Sequence, residues 1–134
     1  MAKLSVEIVT PERRLVSTQV DEARIPGANG LFGVRPGHEP LLSVMAPGEL
    51  TLTEGANIQR FFVAGGFAQV VRDEVRVLAD AAEPTSQIDV PAAQRRLAEA
   101  QAALSGLASS DPRYVDANAV LERERARIAA ASAS

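Results

Sequence analysis

Residues 88–93 read IDVPAA, and the rules that govern the chain change across them. Eight of the nine glycines and six of the eight prolines lie before residue 88. After it the sequence turns rich in alanine, and its apolar residues recur at helical spacing. Asp89 is a candidate N-cap, and Pro91 falls in a first turn, where its missing N–H is no loss. Ala93, Leu97, Ala100, Leu104 and Leu107 then follow at spacings of 4, 3, 4 and 3, one stripe along a helix. Gly106 and the SSDP at 109–112 end that helix, and Asp111-Pro112 starts another. Tyr114, Ala117, Leu121 and Ile128 carry its stripe, with Glu124 interrupting it. Two helices joined by so short a loop form an antiparallel hairpin.

Working backward from residue 88, the period is two. LSVEIV at 4–9 places Leu4, Val6 and Ile8 on one face, the pattern of a half-buried strand. Further short strands are expected at 14–17, 20–25, 31–34, 41–44, 50–54, 58–64, 66–71 and 74–79. Pro26-Gly27 should stop the third. Gly55-Ala56-Asn57 reads as a turn. Arg72-Asp73 reads as a two-residue hairpin loop of awkward chemistry, since neither residue is Gly or Asn. Glu83-Pro84 looks like a hinge between the halves. Eight or nine strands at this spacing imply a sandwich or a barrel. Aromatic residues are only 4% of the chain, so Val, Leu, Ile and Ala must build the core.

The helical stripes are thin, because alanine fills two of five positions in the first and one of four in the second. A Leu-to-Ala deficit is worth ~2–5 kcal/mol at a buried site, so weak docking of the hairpin is expected. Two outcomes stay open: an element with two positions, or a stable cap on the sandwich.

Composition narrows the function. With 46% apolar residues the chain can fill a core. A net charge of −3 argues against nucleic acid, which calls for a basic surface. Cysteine is absent, so thiolate nucleophiles, disulfides and Cys metal sites are excluded. The start, MAKLSVEIVTPERR, has no apolar h-region, so no signal peptide is expected. No apolar run is long enough to span a membrane. The expected compartment is the cytoplasm, with a peripheral membrane role open.

The one histidine, His38, lies in GVRPGHEPLL at 33–42, boxed by Gly37, Pro36 and Pro40. Beside Glu39 it is a candidate acid or base, a metal ligand, or a structural residue. A triad would need a serine on a strained turn, and no G-x-S-x-G is present. A zinc site needs several ligands, and one His supplies too few. No catalytic residue and no metal ligand is therefore assigned. Ala64-Gly65-Gly66-Phe67 lacks a following GK[ST] and reads as a strand end where backbones approach closely. Arg123, Arg125 and Arg127 fan around their helix. They are either a solvated face or a cluster aimed at an acidic partner.

The order of these motifs carries more than any one of them. LSVEIVTPERRLVS, IPGANGLFGVRPGHEPLL, APGEL, FFVAGGFAQV, DEVRVLADAAE and a helical hairpin follow in turn. The whole chain resembles the epsilon-subunit family of the F-type ATP synthase, most strongly over 4–83. The resemblance implies an all-β N-terminal sandwich of about ten short antiparallel strands at 1–87 and a C-terminal antiparallel two-helix hairpin at 88–134. It implies a non-catalytic rotor-stalk subunit of a proton-translocating enzyme, peripheral on the cytoplasmic face of the bacterial inner membrane. The implied partners are the gamma subunit, the c-ring, and the catalytic α/β head for an inhibitory hairpin. Neither nucleic acid nor membrane insertion is implied.

The resemblance also marks residues. Asn29, Leu31, Phe32, His38, Leu41 and Leu42 fall at the gamma and c-ring surface. Arg123, Arg125 and Arg127 fall where the hairpin would meet the head. Ile88 and Asp89 belong to a degenerate ATP motif whose arginine position is Ala92, so weak or no ATP binding is expected and no cofactor is assigned. The alternatives are a stand-alone nucleotide-regulated sandwich with a helical lid, and a small hydrolase using His38 and Glu39.

Overall fold

The computed structural model describes residues 2–133. Alternating burial starts the fold: Leu4, Val6 and Ile8 of β1 (Leu4–Val9) point inward and are fully buried. β2 (Arg14–Val20) pairs antiparallel along one edge of β1. The strands then run β3 (Glu22–Gly27), β4 (Gly30–Val34), β5 (Leu41–Val44), β6 (Gly48–Glu54) and β7 (Asn57–Ala64). β8 (Phe67–Val71), β9 (Glu74–Leu78) and β10 (Ala81–Pro84) follow. They form two five-stranded sheets, ordered β2-β1-β9-β8-β5 and β10-β7-β6-β3-β4. The inner faces enclose one core of Val, Leu, Ile and small residues with Phe61. All the pairings are antiparallel except that of β1 with β9.

Three expectations change on contact with the structure. The expected strand at 20–25 is split: Val20 ends β2 in one sheet, and Glu22 begins β3 in the other. Asp21 holds this crossing. Its amide donates to the Thr53 carbonyl at 2.8 Å, and its carboxylate accepts from the Gly55 amide at 2.8 Å and Lys3 at 2.6 Å. Pro26-Gly27 does not stop β3, because these residues pair with Leu31 and Gly30 of β4. Glu83-Pro84 is not a hinge. It lies in β10, opposite Phe62 and Phe61, and proline is tolerated there because β10 is an edge strand.

The turns meet their geometry without the usual residues. Arg72 and Asp73 both adopt positive φ, 50° and 63°, as a tight β8–β9 hairpin loop requires. Two contacts offset the strain: the Asp73 carbonyl accepts from the Ser5 amide, and its carboxylate accepts from the Gly37 amide at 2.7 Å. Gly66 (φ +77°) sits where a Cβ would collide with the Leu78 carbonyl, the close backbone approach expected of AGGF.

A short 3-10 turn (Thr85–Gln87) leads into α1 (Val90–Ser105). Asp89 caps α1 by accepting from the Ala92 amide at 3.0 Å, and proline stands in the first turn. α2 (Pro112–Ala133) returns along α1 and rests on the outer face of the second sheet, over β6 and β7. Its apolar seat is small: Phe62, Ala64, Ala81 and Ile88 below, Ala126 and Ala130 above. α1 packs chiefly on α2. Among the described residues no helix is long and apolar enough to cross a membrane.

Candidate functional site

The GVRPGHEPLL segment is a braced loop between β4 and β5. Arg35 donates to Glu22 at 2.7 Å, and Arg24 donates to the same carboxylate at 3.0 Å. Those two hydrogen bonds hold the Glu22 carboxyl below its ordinary value. The Gly37 amide is tied to Asp73, and the His38 amide donates to the Arg35 carbonyl. His38 Nδ1 lies 2.7 Å from the Glu39 carbonyl oxygen, which assigns its proton to Nδ1. The ring thus faces the main chain of Glu39 and not its carboxylate, so the two side chains make no acid–base pair. His38 braces a stiff loop and is half-buried in doing so.

Beyond the loop, alternation sorts the two leucines. Leu41 packs against the core and Leu42 is 67% exposed. Val44 shares the outer face with Leu42 and is 65% exposed. Phe67 of β8 stands opposite Val44 and is partly exposed. The result is an apolar corner on the outer face of the first sheet, at the edge strand β5. Near it the β3–β4 tip presents Asn29 and an exposed Leu31, and the Ala28 amide ties that tip to the Val44 carbonyl at 2.8 Å. Phe32 points the other way, into the margin of the core beside Gly27. Of the six residues assigned to a partner surface, Asn29, Leu31 and Leu42 are exposed, while Phe32 and Leu41 pack on the core and His38 is half-buried in its own loop. Sequence reasoning missed Val44 and Phe67. The signal was there, since LLSV puts apolar residues on both faces of one strand.

Ile88 and Asp89 have structural duties. Ile88 packs on Phe62, Ala64 and Ala130, and Asp89 caps α1. Ala92 offers no cation beside them.

The arginines of α2 are more organised than their spacing suggests. Glu124, the residue that breaks the apolar stripe, is completely buried. Arg96 from α1 donates to its Oε1 at 2.8 Å, and Arg123 donates to its Oε2 at 3.1 Å. Arg127 Nε lies 3.2 Å from Oε1 as an ion pair. Burial pushes the Glu124 carboxyl up, but the hydrogen bonds from Arg96 and Arg123 and the Arg127 charge outweigh it. Its pKa ends below the ordinary value. Arg127 reaches further: it donates to Glu83 of β10 and stacks on the Phe62 ring of β7. Arg123 and Arg127 are therefore engaged within the chain, so the alternative of a merely solvated face is corrected for these two. Of these three arginines, Arg125 is the one that is exposed and has no ion pair among the described residues. Glu124 is local to both arginines, one residue from Arg123 and three from Arg127, whereas Arg96 of α1 and Glu83 of β10 are distant in sequence, and no helical spacing could find them.

The comparisons with known proteins agree along the whole chain. Residues 3–85 match the model of the ATP synthase delta/epsilon chain β-sandwich domain, and residues 86–132 match its long α-helix domain. The chain belongs to the ATP synthase delta/epsilon family. Its similarity is to the bacterial epsilon members. The ATP synthase epsilon chain of Myxococcus xanthus (strain DK1622) is 58% identical over 132 residues, covering 98% of this chain and 97% of that one. That of Anaeromyxobacter sp. (strain Fw109-5) is 44% identical, covering 96% and 97%. A chain in a cryo-EM structure of the Euglena gracilis mitochondrial ATP synthase (OSCP/F1/c-ring, rotational state 1) superimposes with TM-score 0.82 at 26% identity. That match covers 97% of this chain and 82% of that one. A chain of the Tetrahymena thermophila mitochondrial ATP synthase central stalk and c-ring shares the fold, with TM-score 0.66 at 14% identity. Within that family the chain is of the bacterial epsilon type, a non-catalytic member.

Proposed function

We infer that the sandwich, residues 1–87, is a rotor-binding domain and that residues 88–134 are a regulatory arm. The sandwich joins the gamma subunit to the c-ring and passes the torque of proton flow to the catalytic head. Its work is mechanical, which suits a braced loop and an apolar corner better than a pocket with convergent acids and bases. The observation that carries this reading is the corner itself. Leu42, Val44 and Phe67 form a contiguous apolar surface on a sheet edge, which marks a protein contact. Leu31 and Asn29 at the adjoining tip extend it toward the c-ring. The subunit then works as a peripheral protein on the cytoplasmic face of the bacterial inner membrane.

The arm inhibits ATP hydrolysis when it leaves the sandwich and enters the α/β head. Its small apolar seat supports this, because a partner moves a two-state element only when the gap between the states is modest. Arg125, exposed in the docked arm, and Arg123 and Arg127, released from it, would face acidic groups of the head. Reconstitution tests both parts. The head with gamma should assemble with the full chain and with a 1–87 truncation, but only the full chain should lower hydrolysis. Failure of both to bind gamma would remove the rotor reading. Equal hydrolysis with both would remove the inhibitory one.

A further inference from the structure

We propose that Glu124 makes closure of the α1–α2 hairpin and docking of that hairpin on the sandwich a single event. Four side chains form one line of alternating charge across three elements: Arg96 on α1, Glu124 and Arg127 on α2, and Glu83 on β10. Among the described residues no ion pair joins α1 directly to the sandwich, so this line is the charged link between them. A buried carboxylate must be paired, because its desolvation is otherwise uncompensated. Glu124 is fully buried, and its partners come from both helices: Arg123 and Arg127 on α2 and Arg96 on α1, which alone donates to Oε1 by a hydrogen bond.

The coupling follows from what each separation would leave behind. If α1 peels away, Glu124 loses the Arg96 hydrogen bond and meets water on that side. Arg127 then turns toward the uncovered carboxylate and loosens its hold on Glu83. If α2 instead lifts off the sandwich, Arg127 loses both Glu83 and the Phe62 face. It then competes with Arg96 for the same Glu124 oxygen. Each opening weakens the contact that resists the other. Arg123 on the second Glu124 oxygen keeps the carboxylate in place on α2 throughout. On the same sheet face Glu49 and Arg60 pair with each other at 3.0 Å, and Glu22 pairs with Arg24 and Arg35; these groups stand outside the line. The coupling rests on the regulatory-arm reading only for its use in the cell, since it is a property of the chain alone.

The cysteine-free full-length chain is suited to the test. Spin labels at Ala98→Cys and Ala119→Cys report hairpin closure, and labels at Gln59→Cys and Ala119→Cys report docking. Arg96→Gln and Glu83→Gln sit at partly exposed side chains and should preserve the fold. Each is expected to broaden both distances and to lower the docked-to-undocked ratio by about tenfold. The double variant should lose little more than either single one, well short of the product, because both break one line. Glu124→Gln should also broaden both distances. If it fails to fold, the Arg96/Glu83 cycle decides alone. The proposal is overturned if Arg96→Gln opens the hairpin and leaves the docking distance unchanged, or if the two substitutions multiply. An arm that never inhibits hydrolysis would remove the regulatory reading and leave this coupling standing, so the two failures are distinct.

Discussion

The Arg127 guanidinium carbon lies 4.6 Å from the centroid of the Phe62 ring. The same side chain donates to Glu83 and flanks Glu124, so one cation holds a ring and two carboxylates from three elements. Only a planar, delocalised cation can stack and pair at once. Arg127→Lys should therefore weaken hairpin docking by about 1–2 kcal/mol. Arg127→Ala should cost about 3 kcal/mol, because it strips a partner from a buried carboxylate. Denaturant unfolding of the full chain measures both. Equal stability of wild type and Arg127→Ala would show that the cluster holds nothing.

Acid should loosen the same junction. The Glu124 carboxyl titrates below its unfolded value, held down by Arg96, Arg123 and Arg127 against the effect of burial. Its contribution is complete above the unfolded Glu pKa of about 4.3 and is lost as pH falls through the lowered folded value. Docking should stay flat from neutral pH to about 5 and weaken toward pH 3. Glu83, on the β10 side, is the other carboxylate of the line. Glu124→Gln should remove much of the pH dependence of the docking distance, and an unchanged profile would move its cause elsewhere.

Gly66→Ala should damage the sandwich. The substitution places a Cβ against the Leu78 carbonyl at a residue whose φ is +77°. Steric overlap and left-handed strain together should cost about 3 kcal/mol or more. Gly106→Ala, at a helix end with open space around it, is the control and should change stability by about 1 kcal/mol or less. The two denaturation midpoints are compared directly.

The apolar corner separates stability from assembly. Leu42 and Val44 are mostly exposed, so Leu42→Asp with Val44→Asp should change the stability of the isolated chain by about 1 kcal/mol at most. Co-purification with gamma should be lost. Retained binding would place the gamma contact on another face.

ATP should not bind the isolated chain saturably at micromolar concentration. Asp89 is occupied as a cap, Ala92 supplies no charge, and Arg96, Arg123 and Arg127 are ion-paired with Glu124 and Glu83. Calorimetry decides it, and a micromolar saturable heat would contradict this.

The sequence made the periodic parts of the fold legible. LSVEIV announced β1 because one face is buried and the other is not, and Asp89 announced the start of α1 because capping chemistry is local. β10 was not legible, since AAEP has neither alternation nor β-branched residues and exists as a strand only by pairing with β7. The split at Asp21 was hidden for a similar reason: its partners, Thr53 and Gly55, come from the opposite sheet. At the candidate site, exposed Leu31 and Leu42 could be picked out from family likeness. Glu124 could be seen only as a flaw in an apolar stripe. A buried charge in a helix is explained by what lies across from it, and that information is tertiary.

The parallel pairing of β1 with β9 has a consequence for how the chain comes into being. β1 leaves the ribosome with β2 as its one available neighbour, and its other edge stays open until residues 74–78 have been made. The first sheet can close only late in synthesis, around the earliest strand. Because β10 also ends at Pro84, a chain released near residue 87 already holds every strand it needs. The sandwich can then finish folding before α2 emerges, so the arm meets a completed surface instead of helping to form one.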